Sequence, residues 1–381
     1  MRIVHVVSHY NSMMKYQEYY LAKEQVIQGH EVHIVTSNRN FPFTDYENTA
    51  ASIYGMRILP TGSFDEEGIH IHRLPALFEH RARVFLRKLH PTIAGIEPDV
   101  IIIHGIVNIS AILLLINKVK ARYVFDDHML YQQISRAPLS KLFYFWFRLV
   151  FRKKILSTAE KIVAISEGCV PTINEVYGIP RKRIQMISLG ADARMFHFDK
   201  NLREVQRNKL KIGKEAVVVL FTGKIIEGKK PHLITEALNM IEIDKEIHVL
   251  FVGNFSSGYK DLFMSEVAKS AHPYTIVPHV ETEELVAMYC AADLAVYPVQ
   301  ATISTVEASA CGLPIICTDE IPERYKNGNG IGIEPGNPEQ LKSALEVLLK
   351  DEKKRKKMGK LGRRYVEQEL SWSIVSQRFL E

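Results

Sequence analysis

The chain has 381 residues, long for one domain and natural for two. At 46% hydrophobic and 24% charged residues it has the composition of a packed globular protein. Its net charge of +6, from 49 basic and 43 acidic side chains, favours anionic ligands or surfaces and gives no reason to invoke nucleic acid.

Four cysteines, Cys169, Cys290, Cys311 and Cys317, show no CxxC or CxxxxH spacing, so neither a zinc site nor a disulfide framework is expected. A reducing cytoplasm fits them. The first residues, MRIVHVVSHY, read as a short strand without the longer apolar core of a secretory signal. No run reaches the roughly 18 apolar residues needed to span a bilayer.

In chain order, RIVHVVS (2–8) is a β-branched run and reads as a buried strand. YQEYYLAKEQVIQ (16–28) has apolar residues at helical spacing, ends at Gly29, and is followed by the strand EVHIVTS (31–37). That is a βαβ unit. Residues 38–68 are polar, carry Gly62 and Gly68, and read as a mobile loop. Alternation resumes with DVIIIHG (99–105), a helix near 108–119, ARYVFDD (121–127) and KIVAIS (161–166). After the turn-rich ISLGADARMFHFDK (187–200) it starts afresh: AVVVLFTG (216–223), IHVLFVGN (247–254), TIVP (275–278), DLAVYP (293–298) and LPIICT (313–318). Two doubly wound α/β domains of similar size are expected, with a ligand cleft facing the strand ends.

The first strand is followed by SHYNSMMKYQE, without the G-x-G-x-x-G of a dinucleotide fold, which argues against NAD or FAD. In the second half, Lys224 and Lys229 lie five apart just after a strand; they suit a diphosphate clamp or simply decorate a loop. Ser304 and Thr305 stand where a helix should begin, as caps or as part of a phosphate cradle. Glu307, a lone carboxylate between two core strands, could accept from a ribose diol or favour the helix dipole.

Taken together, the lysine pair, EASACGLPI, VAISEG, SLGADARMF, GHEVHIVTS, ETEELVAMYCAADLAVYP and DEIPERYKNGNGIGIEPGNPEQL resemble the GT-B glycosyltransferases of family GT4 over nearly the whole chain. The resemblance implies two Rossmann-like domains facing a central cleft: 1–192 for the acceptor, 193–365 for the nucleotide sugar, and 366–381 as a helix crossing back, with Trp372 its anchor. It implies a retaining transferase that uses a UDP- or GDP-sugar. Glu307 would hold the ribose, and Lys224 and Lys229 the diphosphate, with Thr302, Ser304 and Thr305 nearby. His104 would stand near the reacting sugar, and Lys15, Tyr16, Asp127 and His128 near the acceptor or sugar.

There are departures from that pattern. The first glutamate of the family's pair is replaced by Val299, followed by Gln300, Ala301 and Thr302, and Ser12, Met13, Met14 and Lys15 replace the N-terminal loop glycines. With no carboxylate pair placed to act as nucleophile, a front-face reaction is expected, the leaving phosphate taking the acceptor's proton. No DxD follows a strand, so no metal and no cofactor beyond the nucleotide sugar is expected; Asp126-Asp127-His128 is the nearest grouping for an ion. The acceptor would be a glycan or a lipid-linked molecule. Segments 80–90 and 141–156, aromatic and basic, suit an anionic membrane surface, and a peripheral place at its inner face would follow. The alternatives are a catalytically silent nucleotide-sugar-binding homologue, which Val299 favours, and a GT-B-fold epimerase.

Overall fold

The computed structural model describes the chain except residues 44, 81–82, 132–133, 135–136, 257 and 301 and the side chains of 48 and 49. Arg81 and Ala82 of the basic segment and Ala301 of the replaced loop therefore lie outside the described residues. Two compact units form: residues 1–188 with 372–381, and residues 189–371. The last helix, Trp372–Leu380, packs on the helix Gln17–Ile27 of the first unit, where the Trp372 and Tyr20 rings stack at 5.1 Å.

Among the described residues the first unit contains ten strands: β1 (Arg2–Val6), β2 (Glu31–Ser37), β3 (Gly62–Glu66), β4 (Ile69–Leu74), β5 (Ala76–His80), β6 (Arg83–Leu86), β7 (Val100–His104), β8 (Arg122–Asp127), β9 (Ala159–Ala164) and β10 (Ile184–Met186). Eight form one sheet in the order β10-β9-β8-β7-β1-β2-β4-β3, parallel except for β3 against β4. The central strands are continuous β-branched runs because helices cover both faces. Chain order runs outward from β1 to one side through β2 and then to the other through β7, so the direction switches between β1 and β7.

The stretch 38–68, expected to be a mobile loop, is instead folded. It carries two short helices, Tyr46–Thr49 and Ala51–Tyr54, and the edge strand β3. Asn40 is fully buried and its amide donates to the carbonyls of Tyr54 and Met56. A two-residue turn at Glu67 and Gly68, both with positive φ, reverses β3 into β4. Glu-Gly is a poor signature for such a turn, which hid the hairpin. The described residues of the segment 80–90 are the end of β5, all of β6 and the start of the helix Leu89–Ile96, whereas 141–156 lies within one helix.

The second unit holds β11 (Val217–Thr222), β12 (Ile247–Val252), β13 (Tyr274–Val277), β14 (Leu294–Tyr297), β15 (Ile315–Thr318) and β16 (Gly330–Ile333). They form an all-parallel sheet in the order β13-β12-β11-β14-β15-β16. Here the direction switches between β11 and β14, whose paired residues include Val219 with Leu294. In open α/β sheets ligands bind beyond the carboxyl ends of the strands at such a switch.

Candidate active site

Lys224, Lys229 and Glu307 lie on the elements that follow the carboxyl ends of β11 and β14. β11 runs into Gly223, Lys224 and a single 3₁₀ turn, Glu227–Lys229. Gly223 has φ 128°, and a Cβ there would come within 2.9 Å of the Lys229 ammonium. Gly253, at the end of β12, packs so tightly that a Cβ would meet the Gly223 carbonyl at 2.0 Å. Glycine at both positions lets the backbone close up and leaves room for the Lys229 head group. Burial first, and the neighbouring Lys224 second, push the Lys229 ammonium down to about 8.

Beyond β14 the chain passes Val299 and Gln300 and enters the helix Ile303–Ala310. Its N-cap is Thr302, which makes no side-chain capping bond. Thr305, expected at the cap, is fully buried, and its hydroxyl donates to the Thr302 carbonyl at 2.7 Å. The Gln300 amide lies 3.5 Å from where a Cβ on Gly228 would stand, so this loop borders the Glu227–Lys229 turn. Val299 Cγ2 lies 3.7 Å from the equivalent point on Gly336.

Glu307 is half-buried on that helix, and what holds it was not foreseen. The Tyr289 hydroxyl donates to Glu307 Oε2 at 2.9 Å. The same hydroxyl lies 3.0 Å from Thr222 Oγ1, which is 2.9 Å from the Tyr297 hydroxyl, and Tyr297 donates to the Ser304 carbonyl at 2.9 Å. The end of β11, the helix Thr282–Ala291, β14 and the Glu307 helix are thus pinned through three hydroxyls. Buried tyrosine hydroxyls need partners, and the two tyrosines of MYCAADLAVYP were the available signal. Burial, partly offset by the Tyr289 hydrogen bond, raises the Glu307 carboxyl to about 7.

The first unit builds a different cluster at its own switch point. His104 ends β7, and its side chain is only 6% exposed. Its Nε2 lies 2.9 Å from His5 Nδ1 on β1, and its Nδ1 lies 2.7 Å from Asp126 Oδ2 on β8. His5 continues to Gln25 at 2.7 Å, and Gln17 donates to Asp126 at 3.1 Å. Both ring nitrogens of His104 therefore face protein. His128 is the ring solvent reaches: 41% exposed, its Nε2 3.4 Å from Asp126 Oδ1. Burial opposes its charge, but Asp126 beside it prevails and raises it to about 9. Asp126 is held below the usual carboxylate range by His104 and His128 against the cost of its own burial.

Asp127 is buried, and both its oxygens accept backbone amides, from Ile106 at 3.2 Å and Met129 at 2.9 Å. Lys15 caps a 3₁₀ turn, Ser12–Met14, in the left-handed region (φ 46°), and Tyr16, 48% exposed, precedes the helix Gln17–Ile27. Ligand atoms of His104, Asp126 and His128 all lie within 4.8 Å of one another, so this is the place among the described residues where a metal ion would find three ligands. Asp126, picked out in the sequence only as part of the Asp126-Asp127-His128 grouping, and His5, passed over as part of a core strand, organise the cluster.

Comparison with known proteins gives each unit a relative. Residues 203–365 match the family described as glycosyl transferases group 1, and residues 18–194 match glycosyltransferase family 4. Each of these two matches covers under half of the chain, and together they take in most of it. Among curated members, spore coat protein SA of Bacillus subtilis is 27% identical over 59% of this chain and 65% of its own length. The D-inositol 3-phosphate glycosyltransferase of Nocardia farcinica is 27% identical over 56% of this chain and 50% of its own. The chain thus spans less than two thirds of these relatives.

Solved glycosyltransferase-family structures share the GT-B fold. A glycosyltransferase from Rickettsia africae superposes with a TM-score of 0.75 at 17% identity, covering 100% of this chain and 96% of that one. A sucrose-phosphate synthase from Thermosynechococcus elongatus gives 0.71 at 16%, covering 99% and 97%. Anabaena HepE, solved with UDP and glucose, gives 0.67 at 14%, covering 100% and 98%.

Proposed function

We propose that this glycosyltransferase-family chain transfers a sugar from a nucleotide-sugar donor to a glycan or lipid-linked acceptor. The observation that carries the reading is the arrangement at the β11/β14 switch point: two ammonium groups, an uncapped helix start and a carboxylate fixed by a tyrosine hydroxyl. Glu307 accepts from the ribose diol. Lys224, Lys229 and the first amides of the helix Ile303–Ala310 meet the diphosphate and stabilise it as it leaves. Fixed positive charge aimed at a developing anion is worth several kcal/mol in a dry site.

Retention with front-face attack follows in this reading: the departing phosphate oxygen accepts the acceptor's proton, and no protein nucleophile or general base is called for. His128, held as a cation by Asp126, supplies a second positive group in the first unit, with His104 as the ring that orients Asp126. Ser304 and Thr302 border the phosphates, while Lys15 and Tyr16 border the acceptor. Val299 supports the competing silent reading, since it removes a carboxylate from the loop nearest the donor.

The test is nucleotide release from UDP- and GDP-sugars with and without an acceptor panel. Release that depends on acceptor, with the anomeric proton of the product in the donor's configuration by NMR, is the expected outcome. Tight nucleotide binding with no release under any acceptor would establish the silent reading. Isomerised donor without acceptor would establish an epimerase.

A further inference from the structure

The helix Pro138–Thr158 has 21 residues, of which only Phe147 and Ile155 are buried. Leu139, Leu142, Phe145, Trp146, Leu149 and Val150 are between 49% and 78% exposed. Single exposed apolar residues are ordinary, but a contiguous set of this size marks a surface that something covers.

A second element lies beside it. Arg83 on β6 places its guanidinium 5.4 Å from the centre of the Phe143 ring, so the β5–β6 hairpin and the helix adjoin. Val84 and Leu86 of that hairpin point inward, while Leu77 and Phe78 are 60% and 58% exposed. Along the helix foot runs a groove of about 430 Å³ bordered by Tyr144, Phe145, Lys141 and Arg148.

Charge decides what the surface fits. The helix carries Lys141, Arg148, Arg152, Lys153 and Lys154 and no aspartate or glutamate. The hairpin strands hold one acid, Glu79, and it is consumed internally: Arg39 and His9 both reach it at 2.8 Å. A second copy of this chain would set cations against cations across a two-fold contact. No helix of the described residues is long and apolar enough to cross a membrane. Aromatic and aliphatic residues interleaved with lysine and arginine, on a helix that cannot span, match the interface of an anionic bilayer.

We propose that the first unit docks on an anionic phospholipid surface through the helix Pro138–Thr158 and the β5–β6 hairpin. The rings and leucines enter the headgroup layer, and the cations meet lipid phosphate at its edge. This docking is independent of whether the chain transfers sugar.

The experiment is flotation of the full chain with vesicles of phosphatidylcholine alone or with one third phosphatidylglycerol, at 50 and 500 mM salt. We expect binding to the anionic vesicles at least tenfold tighter than to neutral ones, weakening at high salt. Trp146→Glu with Leu149→Glu, and separately Lys153→Glu with Lys154→Glu, should each lower partition at least tenfold while Tm and nucleotide affinity stay unchanged. No flotation with anionic vesicles at 50 mM salt overturns the proposal. So does a dimer in solution that the same substitutions dissociate, because then a second copy covers this face.

Discussion

The two units place charged clusters at equivalent points of similar sheets but assemble them in opposite ways. In the second unit Lys224 and Lys229 lie on the loop and 3₁₀ turn that follow β11, and Glu307 lies on the helix that follows β14, so short stretches of chain carry them. In the first, the cluster joins His5 on β1, Gln17 and Gln25 on one helix, His104 on β7, and Asp126 and His128 at the end of β8, residues spread over a hundred positions. The second unit also holds its key acid in a neutral frame of hydroxyls, whereas the first holds a carboxylate between two imidazoles. In the proposed reading, Glu307 exchanges the Tyr289 hydroxyl for the donors of a ligand. An imidazole frame locks Asp126 and presents positive charge at His128.

The sharpest way to break that contrast is to remove the ammonium pair. Lys224→Ala with Lys229→Ala should weaken UDP binding by about a hundredfold, near 3 kcal/mol, as measured by calorimetry. His128 in the other unit should keep its titration. The intact pair also sets an upper pH limit, since Lys229 loses its proton at about 8. Glu307 sets the lower limit, because its carboxylate forms only above about 7. UDP affinity should therefore be greatest between pH 7 and 8 and fall on either side; a flat profile from pH 6 to 9 would remove both groups from the site.

Glu307→Gln comes next. It should cost about tenfold in UDP affinity, through one weakened pair of hydrogen bonds, yet stabilise the fold. The sign follows from the folded chain binding this proton more tightly than the unfolded chain, at about 7 against 4.5. The group's contribution to stability thus falls as pH rises from 4.5 to 7. The variant should be more stable than the parent by about 1–2 kcal/mol at pH 8 and equal to it at pH 4.5, as read by urea titration.

The smallest effect on nucleotide affinity, none at all, is expected from Asp126→Asn. Its consequence lies in the first unit. His128 should fall from about 9 toward 6.5 in an NMR titration. Because the folded value is the raised one, the parent draws stability from this pair below pH 6.5 and loses it as pH climbs through 9. The variant should lose about 1 kcal/mol at pH 6, a modest figure because His128 is 41% exposed and water screens its pairing with Asp126. Acceptor-dependent turnover should drop while UDP binding holds, which separates the roles of the two units.

How much of this could be read in advance depended on sequence distance. The strand runs EVHIVTS and IHVLFVGN announced themselves because parallel strands covered on both faces are continuous apolar stretches. Lys224, Lys229 and Glu307 stood out as charges immediately beside such runs. Missed were β3 and β4, which are half polar and whose turn at Glu67-Gly68 lacks an Asn-Gly or Asp-Gly pair, the equally polar β5 and β6, and the short β10 and β16. Thr305 read as a cap because hydroxyls favour that place, but tertiary burial turned it inward to the Thr302 carbonyl.

The sequence alone determined the two-fold repetition of strand and helix, the sheet-end position of the lysine pair and Glu307, and the basic aromatic character of 141–156. Local pattern suffices for these because each depends on neighbours within one or two elements. Only the tertiary structure decided that Tyr289 would meet Glu307, that His5 and Asp126 would bracket His104, and that so much of the 138–158 helix would face outward. Those facts rest on which strands lie side by side and which faces are covered. That is fixed by packing of the whole unit, where a side chain's partner can be a hundred residues away.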